Sequence, residues 1–263
     1  MEILVLVKPV PEPETRLRPS AGGSTLDAEG IKWVLAGYDE SAVEQALLLK
    51  ETVAGSGVRA VSFGPPARCE EILRAALALG CDTATVVEQA ADVHVDAVGT
   101  ARALAVAVRR YRFDLLLAGK QAGDDESGLV LPMVAALLGI PDFAPAVDVR
   151  WNEPERRFDF HVAVEGGADA IRAAPPVALG LQQAWNDPRT ARLPNILKSR
   201  RMTLDHVPWS DVVSAVDGGG RSSPVAFRLP PARTGAKMIE YKEPDEAARK
   251  LVQVLSEEAK VFP

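Results

Sequence analysis

The residues best suited to chemistry lie in Gly119-Lys120-Gln121-Ala122-Gly123-Asp124-Asp125-Glu126-Ser127-Gly128. This stretch follows the apolar run Leu115 to Ala118 and precedes an apolar pattern of helical period. Backbone N–H groups at such a strand-to-helix turn, reinforced by the helix dipole, make an anion site, and the glycines permit close approach. A plain glycine-rich connection has the same composition, so the loop alone leaves both readings open. Asp124 and Asp125 could exchange protons with a substrate, but adjacent acids on a loop are more often solvated or cap a helix. The chain has no Gly-x-Ser-x-Gly elbow, no His-Glu-x-x-His, no Walker loop and no Gly-x-Gly-x-x-Gly after its first strand. His94, His161 and His206 are scattered, and Cys69 and Cys81 stand alone. The residues therefore point to binding rather than turnover, with no catalytic set and no metal site.

A second segment carries a different chemistry. Arg189, Arg192, Lys198, Arg200 and Arg201 surround Leu193, with no acid between Arg189 and Arg201. Pro194 disfavours the helical region for Leu193, which predicts an extended stretch or loop there. A leucine on a cationic loop suits docking, because the charges steer an acidic partner and the apolar side chain fills a pocket. The alternative is that Leu193 tucks into its own core and the basic residues are a solvated helix start.

Composition narrows the classes. The chain has 263 residues, enough for one large domain or one domain with an appendage. A formal net charge of −6 argues against nucleic acid as a general partner. Two isolated cysteines fit a reducing compartment, and a cytoplasmic location is expected. The opening Met1 to Lys8 is too short for a secretory signal, and no later run reaches the length of a membrane span, so no membrane insertion is expected.

The elements that must position these residues alternate. Strands are predicted at Ile3 to Val7, Val58 to Phe63, Thr83 to Val87 and Leu115 to Ala118. Helices are predicted at Asp39 to Thr52 (capped by Asp39 or Ser41), Arg68 to Leu79, Val93 to Tyr111 and Gly128 to Leu138. Residues 9–30 read as a loop. These spacings suit right-handed crossovers and a parallel sheet, whose ligands sit beyond the carboxyl ends of the strands. Three further strands follow at Val147–Trp151, Arg157–Val164 and Pro176–Leu181. Residues 202–230 read as irregular, with Gly218-Gly219-Gly220, and Pro244 to Glu258 reads as a terminal helix. The expected division is a nucleotide-binding α/β domain over 1–200, including a loop at 186–201, and an irregular C-terminal arm over 201–263 that packs on another chain.

The motifs, taken in order, resemble the β subunits of electron transfer flavoproteins. Asn186-x-Pro188-Arg189-x-x-x-Leu193-Pro194-Asn195-Ile196-x-Lys198 is similar to that family's recognition loop. Residues 119–125 resemble its Gly-Lys-Gln-Ala-x-Asp-Asp stretch. Tyr38 to Ala46, Val61 to Pro65, Leu73 to Asp82, Val164-Glu165-Gly166-Gly167 and Arg233-Thr234-Gly235 complete the likeness, which covers nearly the whole chain. The resemblance implies a doubly wound, mostly parallel sheet of the adenine-nucleotide-binding type. It implies an electron-carrier subunit, itself no enzyme, in a heterodimer with an α subunit that holds most of a shared FAD. It also implies a structural AMP held by Leu6, by Ala36, Gly37, Tyr38 and Asp39, by Phe63, and across Gly119 to Gly128 with Leu129 and Val130. Leu193, flanked by Pro194, Asn195 and Ile196, becomes the anchor for flavin dehydrogenases such as acyl-CoA dehydrogenases. Arg189, Arg192, Lys198, Arg200 and Arg201 become its steering charges.

The chain departs from the family in three places. Ala36-Gly37 stands where relatives have Asn-Pro. Leu129-Val130-Leu131 stands where they carry Gln-Thr-Gly or Gln-Val-Gly, so a threonine hydroxyl donor is missing. The opening Val7-Lys8-Pro9-Val10-Pro11-Glu12 leans toward the bifurcating, NADH-linked branch, which holds a second FAD in place of AMP. Two alternatives therefore stand: a bifurcating β subunit, and a stand-alone nucleotide-binding regulator.

Overall fold

A computed structural model describes residues 1–23, 25–91, 93–182, 186–216, 222, 225–231, 235–236 and 238–261. Gly218–Gly220 and the Arg233-Thr234 part of the C-terminal motif lie outside the described residues. The elements in chain order are β1 (Glu2–Leu6), β2 (Pro9–Pro11), β3 (Trp33–Leu35), α1 (Gly37–Thr52), β4 (Gly57–Gly64), α2 (Pro66–Leu79), β5 (Thr83–Glu88), α3 (Ala97–Val108), β6 (Leu115–Gly119), α4 (Val130–Leu138), β7 (Asp142–Asn152), β8 (Arg157–Val164), β9 (Gly167–Ala173), β10 (Val177–Leu181), α5 (Leu193–Ser199), β11 (Asp205–Val207), α6 (Trp209–Val216) and α7 (Pro244–Glu257).

Nine strands form one sheet in the order β11-β5-β4-β1-β6-β10-β7-β8-β9. Neighbours from β11 to β7 run parallel, and β8 and β9 continue antiparallel. The central strands are apolar on both faces because helices cover both. Ile3 and Val5 of β1 join Leu115 and Leu117 of β6 under α1 and α2. The intervening Leu4 and Leu6 join Leu116 and Ala118 under α3, α4 and α6. This period-two division of a continuous apolar run is what a doubly covered parallel sheet requires. The chain steps outward from β1 to β4 and β5, then returns to place β6 on the other side of β1. The strand order therefore reverses between β1 and β6, where such sheets bind their ligands.

The structure revises several boundaries. Residues 202–230 are not wholly irregular: β11 pairs with β5, and α6 buries Val212 and Val216. Both are short and draw their stability from distant partners, which local pattern does not reveal. α3 starts at Ala97 rather than Val93, because the Asp96 side chain accepts the Gly99 N–H and caps it there. The 9–30 loop contains β2, paired with β3. The small-residue strand β9 escaped the apolar pattern and pairs along β8.

By packing, Met1–Phe227 forms one unit and Arg228–Pro263 a second. In the second, α7 has no buried residue and displays Leu251 and Val252. Among the described residues, no helix is long and apolar enough to cross a membrane.

Candidate functional site

The strand-order reversal is organised around a buried carboxylate. α1 opens at Gly37 after Ala36, with no side-chain cap, so neither Asp39 nor Ser41 caps it as expected. Asp39 instead turns across the sheet end. Its Oδ2 accepts the Lys8 amide and its Oδ1 the Gly119 amide, both at 2.8 Å. One side chain thus joins the segments leaving β1 and β6. Burial pushes the Asp39 carboxyl up to about 7, against the opposing pull of these two N–H donors. Gly119 has no room for anything larger: a Cβ there would lie 2.4 Å from Tyr38 Cβ and 2.8 Å from the Tyr38 carbonyl carbon.

The Gly119–Gly128 loop folds back over this junction. Lys120 N–H donates to the Leu181 carbonyl at 3.0 Å, and the Lys120 ammonium stands 5.9 Å from the Tyr38 ring centre. Gln121 Nε2 donates to the Tyr38 hydroxyl at 3.3 Å. The Lys8 ammonium bridges Asp124 (2.7 Å) and Asp125 (2.9 Å). The paired acids are therefore an ion-pair clamp, and Asp125 also accepts the Ser127 amide. Burial works against the charge on Asp125, but Lys8 and the Ser127 amide hold its carboxyl below the usual range. The turn closes through Glu126 and Gly128, both in the left-handed region at φ 50° and 61°.

The helix predicted from Gly128 begins at Val130, so Leu129 belongs to the turn. No side chain caps its first amides. An uncapped helix start at the reversal of strand order leaves the Val130 and Leu131 amides as donors suited to a phosphate, Pro132 having no N–H. Leu6 ends β1, and Phe63 lies two positions past its register partner Val61. Leu6, Phe63 and Val130 pack in the same apolar cluster on the α3–α4 face, while Ala36 to Asp39 supply the start of α1. The predicted nucleotide residues therefore gather at the carboxyl end of the sheet. Ala122, Gly123 and Glu126 lie on the outer part of the loop, where Gly123 and Glu126 are exposed.

The basic segment folds differently from its expected extended form. Arg192 is the extended residue (φ −78°, ψ 145°), and Leu193 opens the helix α5 with Pro194 in its first turn. Proline fits there because the first helical amides have no intrahelical acceptor. Leu193 is 67% exposed and Leu197, one turn later on the same side, 53%. The reading in which Leu193 tucks into its own core does not describe this chain. Pro194, Asn195, Arg192, Lys198 and Arg200 are exposed as well, and Ile196 is half-buried.

Arg189 has a second set of contacts. Its guanidinium forks onto Glu44 at 2.8 and 2.9 Å and reaches Glu51 at 2.6 Å. Glu44, then Glu51, push the Arg189 pKa up. Its charge is spent within the fold, whereas Arg192 and Lys198 show no such pairing among the described contacts. Sequence reasoning did not pick out Lys8, Glu44 or Arg74 as site residues. Their partners lie 116, 145 and 125 positions away, so no local spacing marks them.

Known proteins resemble this chain in sequence. A family model described as the electron transfer flavoprotein domain matches residues 24–212. The chain is 32% identical over 264 residues to the electron transfer flavoprotein subunit beta of Bacillus subtilis, covering all of both chains. It is 32% identical over 247 residues to that of Bos taurus, covering 92% of this chain and 94% of the bovine one. It is 34% identical over 208 residues to that of Bradyrhizobium diazoefficiens, covering 78% and 80%.

Proposed function

For a chain that belongs to the electron transfer flavoprotein β-subunit family, we propose a carrier role with two surfaces. One docks a flavin dehydrogenase, such as an acyl-CoA dehydrogenase, and the other holds an adenine nucleotide. An α subunit completes the heterodimer and shares FAD with this chain. The family relation carries the electron-transfer role. The docking reading rests on one observation, the exposed Leu193–Leu197 pair on α5 beside the cations Arg192, Lys198, Arg200 and Arg201. An apolar pair rimmed by charge has the anatomy of a small interface centre.

The residues at the strand ends fit a nucleotide. The first turn of α4 lacks a side-chain cap, Gly123 leaves open space above the loop, and Lys8 offsets one of the two negative charges of Asp124 and Asp125. The missing threonine hydroxyl leaves the backbone amides as donors. A bound AMP supplies phosphate charge and packing surface, not redox chemistry. This chain's part is to orient it, with Asp39 fixing the spacing of the two strand-end segments.

Co-purified heterodimer is denatured and its released small molecules are quantified. The expected yield is one adenine nucleotide beside one FAD. Release of FAD alone, at about one per heterodimer, removes the nucleotide role. Two FAD per heterodimer places the chain with the bifurcating members.

A further inference from the structure

α5 has seven residues, too few to be stable as an isolated helix, and its single fully buried side chain is Ser199. Apolar burial therefore holds it only weakly, yet it carries two exposed leucines. Polar contacts hold it instead, with a set at each end. Upstream, Arg189 forks onto Glu44, whose side chain is only 7% exposed, and Asn186 Nδ2 donates to the Ser41 carbonyl at 3.0 Å. Downstream, Arg74 Nη1 donates to the carbonyls of Ser199, Arg200 and Met202 at 2.9, 3.2 and 3.3 Å. These carbonyls lie at and just beyond the helix C-terminus, where groups lack intrahelical partners and a cation is favoured. Glu44 lies on α1 and Arg74 on α2, so the clamp ties α5 to two helices packed on the sheet.

We propose that Arg74 and Glu44 are positioning residues for dehydrogenase docking: they hold α5 so that Leu193 and Leu197 meet the partner already ordered. The inference rests on the docking reading. A surface ordered before contact loses less freedom on binding, so loosening the clamp weakens association without removing any contacting group.

The test uses the heterodimer with an acyl-CoA dehydrogenase as the reducing partner. Arg74→Gln and Glu44→Gln are each made alone and combined with Leu193→Ala, and Arg74→Lys serves as the milder variant. The expected result is a KM for the dehydrogenase raised about tenfold by Arg74→Gln. Amide hydrogen exchange over 193–202 becomes faster, and flavin content stays unchanged. On the Leu193→Ala background the same change adds little, because the ordered side chain is already gone. Arg74→Lys, which keeps the charge on a shorter side chain, falls between. A KM that responds to Leu193→Ala but not to Arg74→Gln or Glu44→Gln overturns the proposal alone. A KM indifferent to Leu193→Ala overturns the docking reading and the proposal with it.

Discussion

Asp39 and Gly119 stand 80 positions apart in the chain and meet through a 2.8 Å hydrogen bond, the glycine amide donating to the buried carboxylate. The contact ties the start of α1 to the end of β6. Because the carboxylate is buried, its ionisation is coupled to folding. The Asp39 carboxyl titrates near 7 in the fold and near 3.8 when unfolded. Between those values the folded chain holds a proton that the unfolded chain has lost. Asp39 therefore favours folding below pH 4, and that contribution is lost as pH rises toward 7. Relative to wild type, Asp39→Asn should gain stability across that window by about 1.4 kcal/mol per pH unit, then level off. Urea unfolding of both proteins from pH 4 to 8 measures the difference. A difference that stays constant with pH would show that Asp39 titrates normally.

Gly119→Ala should be costly despite its small size. The added carbon meets the backbone and Cβ of Tyr38 as well as Asp39 Oδ1, which the Gly119 amide itself holds in place, so the start of α1 must shift. A loss of about 1–3 kcal/mol is expected, with weaker retention of nucleotide. Denaturation midpoint and nucleotide content, taken on one preparation, check both. Wild-type values for each would mean that the loop yields without strain.

Leu193→Ala should separate docking from folding. An exposed side chain contributes little to stability, so the unfolding free energy should change by no more than about 0.5 kcal/mol. Docking should weaken by about 2 kcal/mol, roughly thirtyfold, in partner-dependent flavin reduction. Leu197→Ala should act in the same direction. A clear drop in melting temperature with unchanged reduction would remove the anchor role.

Arg189 and Arg192 should part company when changed. Arg192→Glu should slow association most at low salt and leave the melting temperature alone, since Arg192 is exposed. Arg189→Ala leaves Glu44 buried without its fork and should cost about 2 kcal/mol of stability. Stopped-flow association at two ionic strengths, beside thermal melts, distinguishes them. Identical behaviour of the two variants would contradict the pairing with Glu44.

The parts legible in the sequence were those written locally. β1 and β6 are nearly continuous apolar runs, β4 and β5 are short and rich in valine, alanine and threonine, and α1 and α2 carry apolar residues at helical spacing, so their places and the parallel sheet follow from pattern alone. The loop at 119–128 was legible because glycines and acids mark a turn. What stayed hidden depends on partners far along the chain. β11 exists because β5 offers a free edge, α5 because Arg189 and Arg74 pin it, and Asp39 is a strut rather than a cap because Lys8 and Gly119 converge on it. Pro194 disfavours helix for Leu193 on local grounds, but both residues stand in the first turn of α5, where proline is tolerated.

The sheet also acts as a partition. The helix bearing Leu193 and Leu197 is pinned to α1 and α2 on one side, while Leu6, Phe63 and Val130 pack among α3 and α4 on the other. Substitutions that retune one surface have almost no side chain in common with those that retune the other. Under the proposed function, a lineage of such chains is thus free to change the partner that meets α5 while the ligand at the strand ends stays the same, or the reverse. The exception is the first two turns of α1, where Asp39 and Glu44 serve opposite masters within five residues. Drift at those positions is the kind that would have to satisfy both surfaces at once.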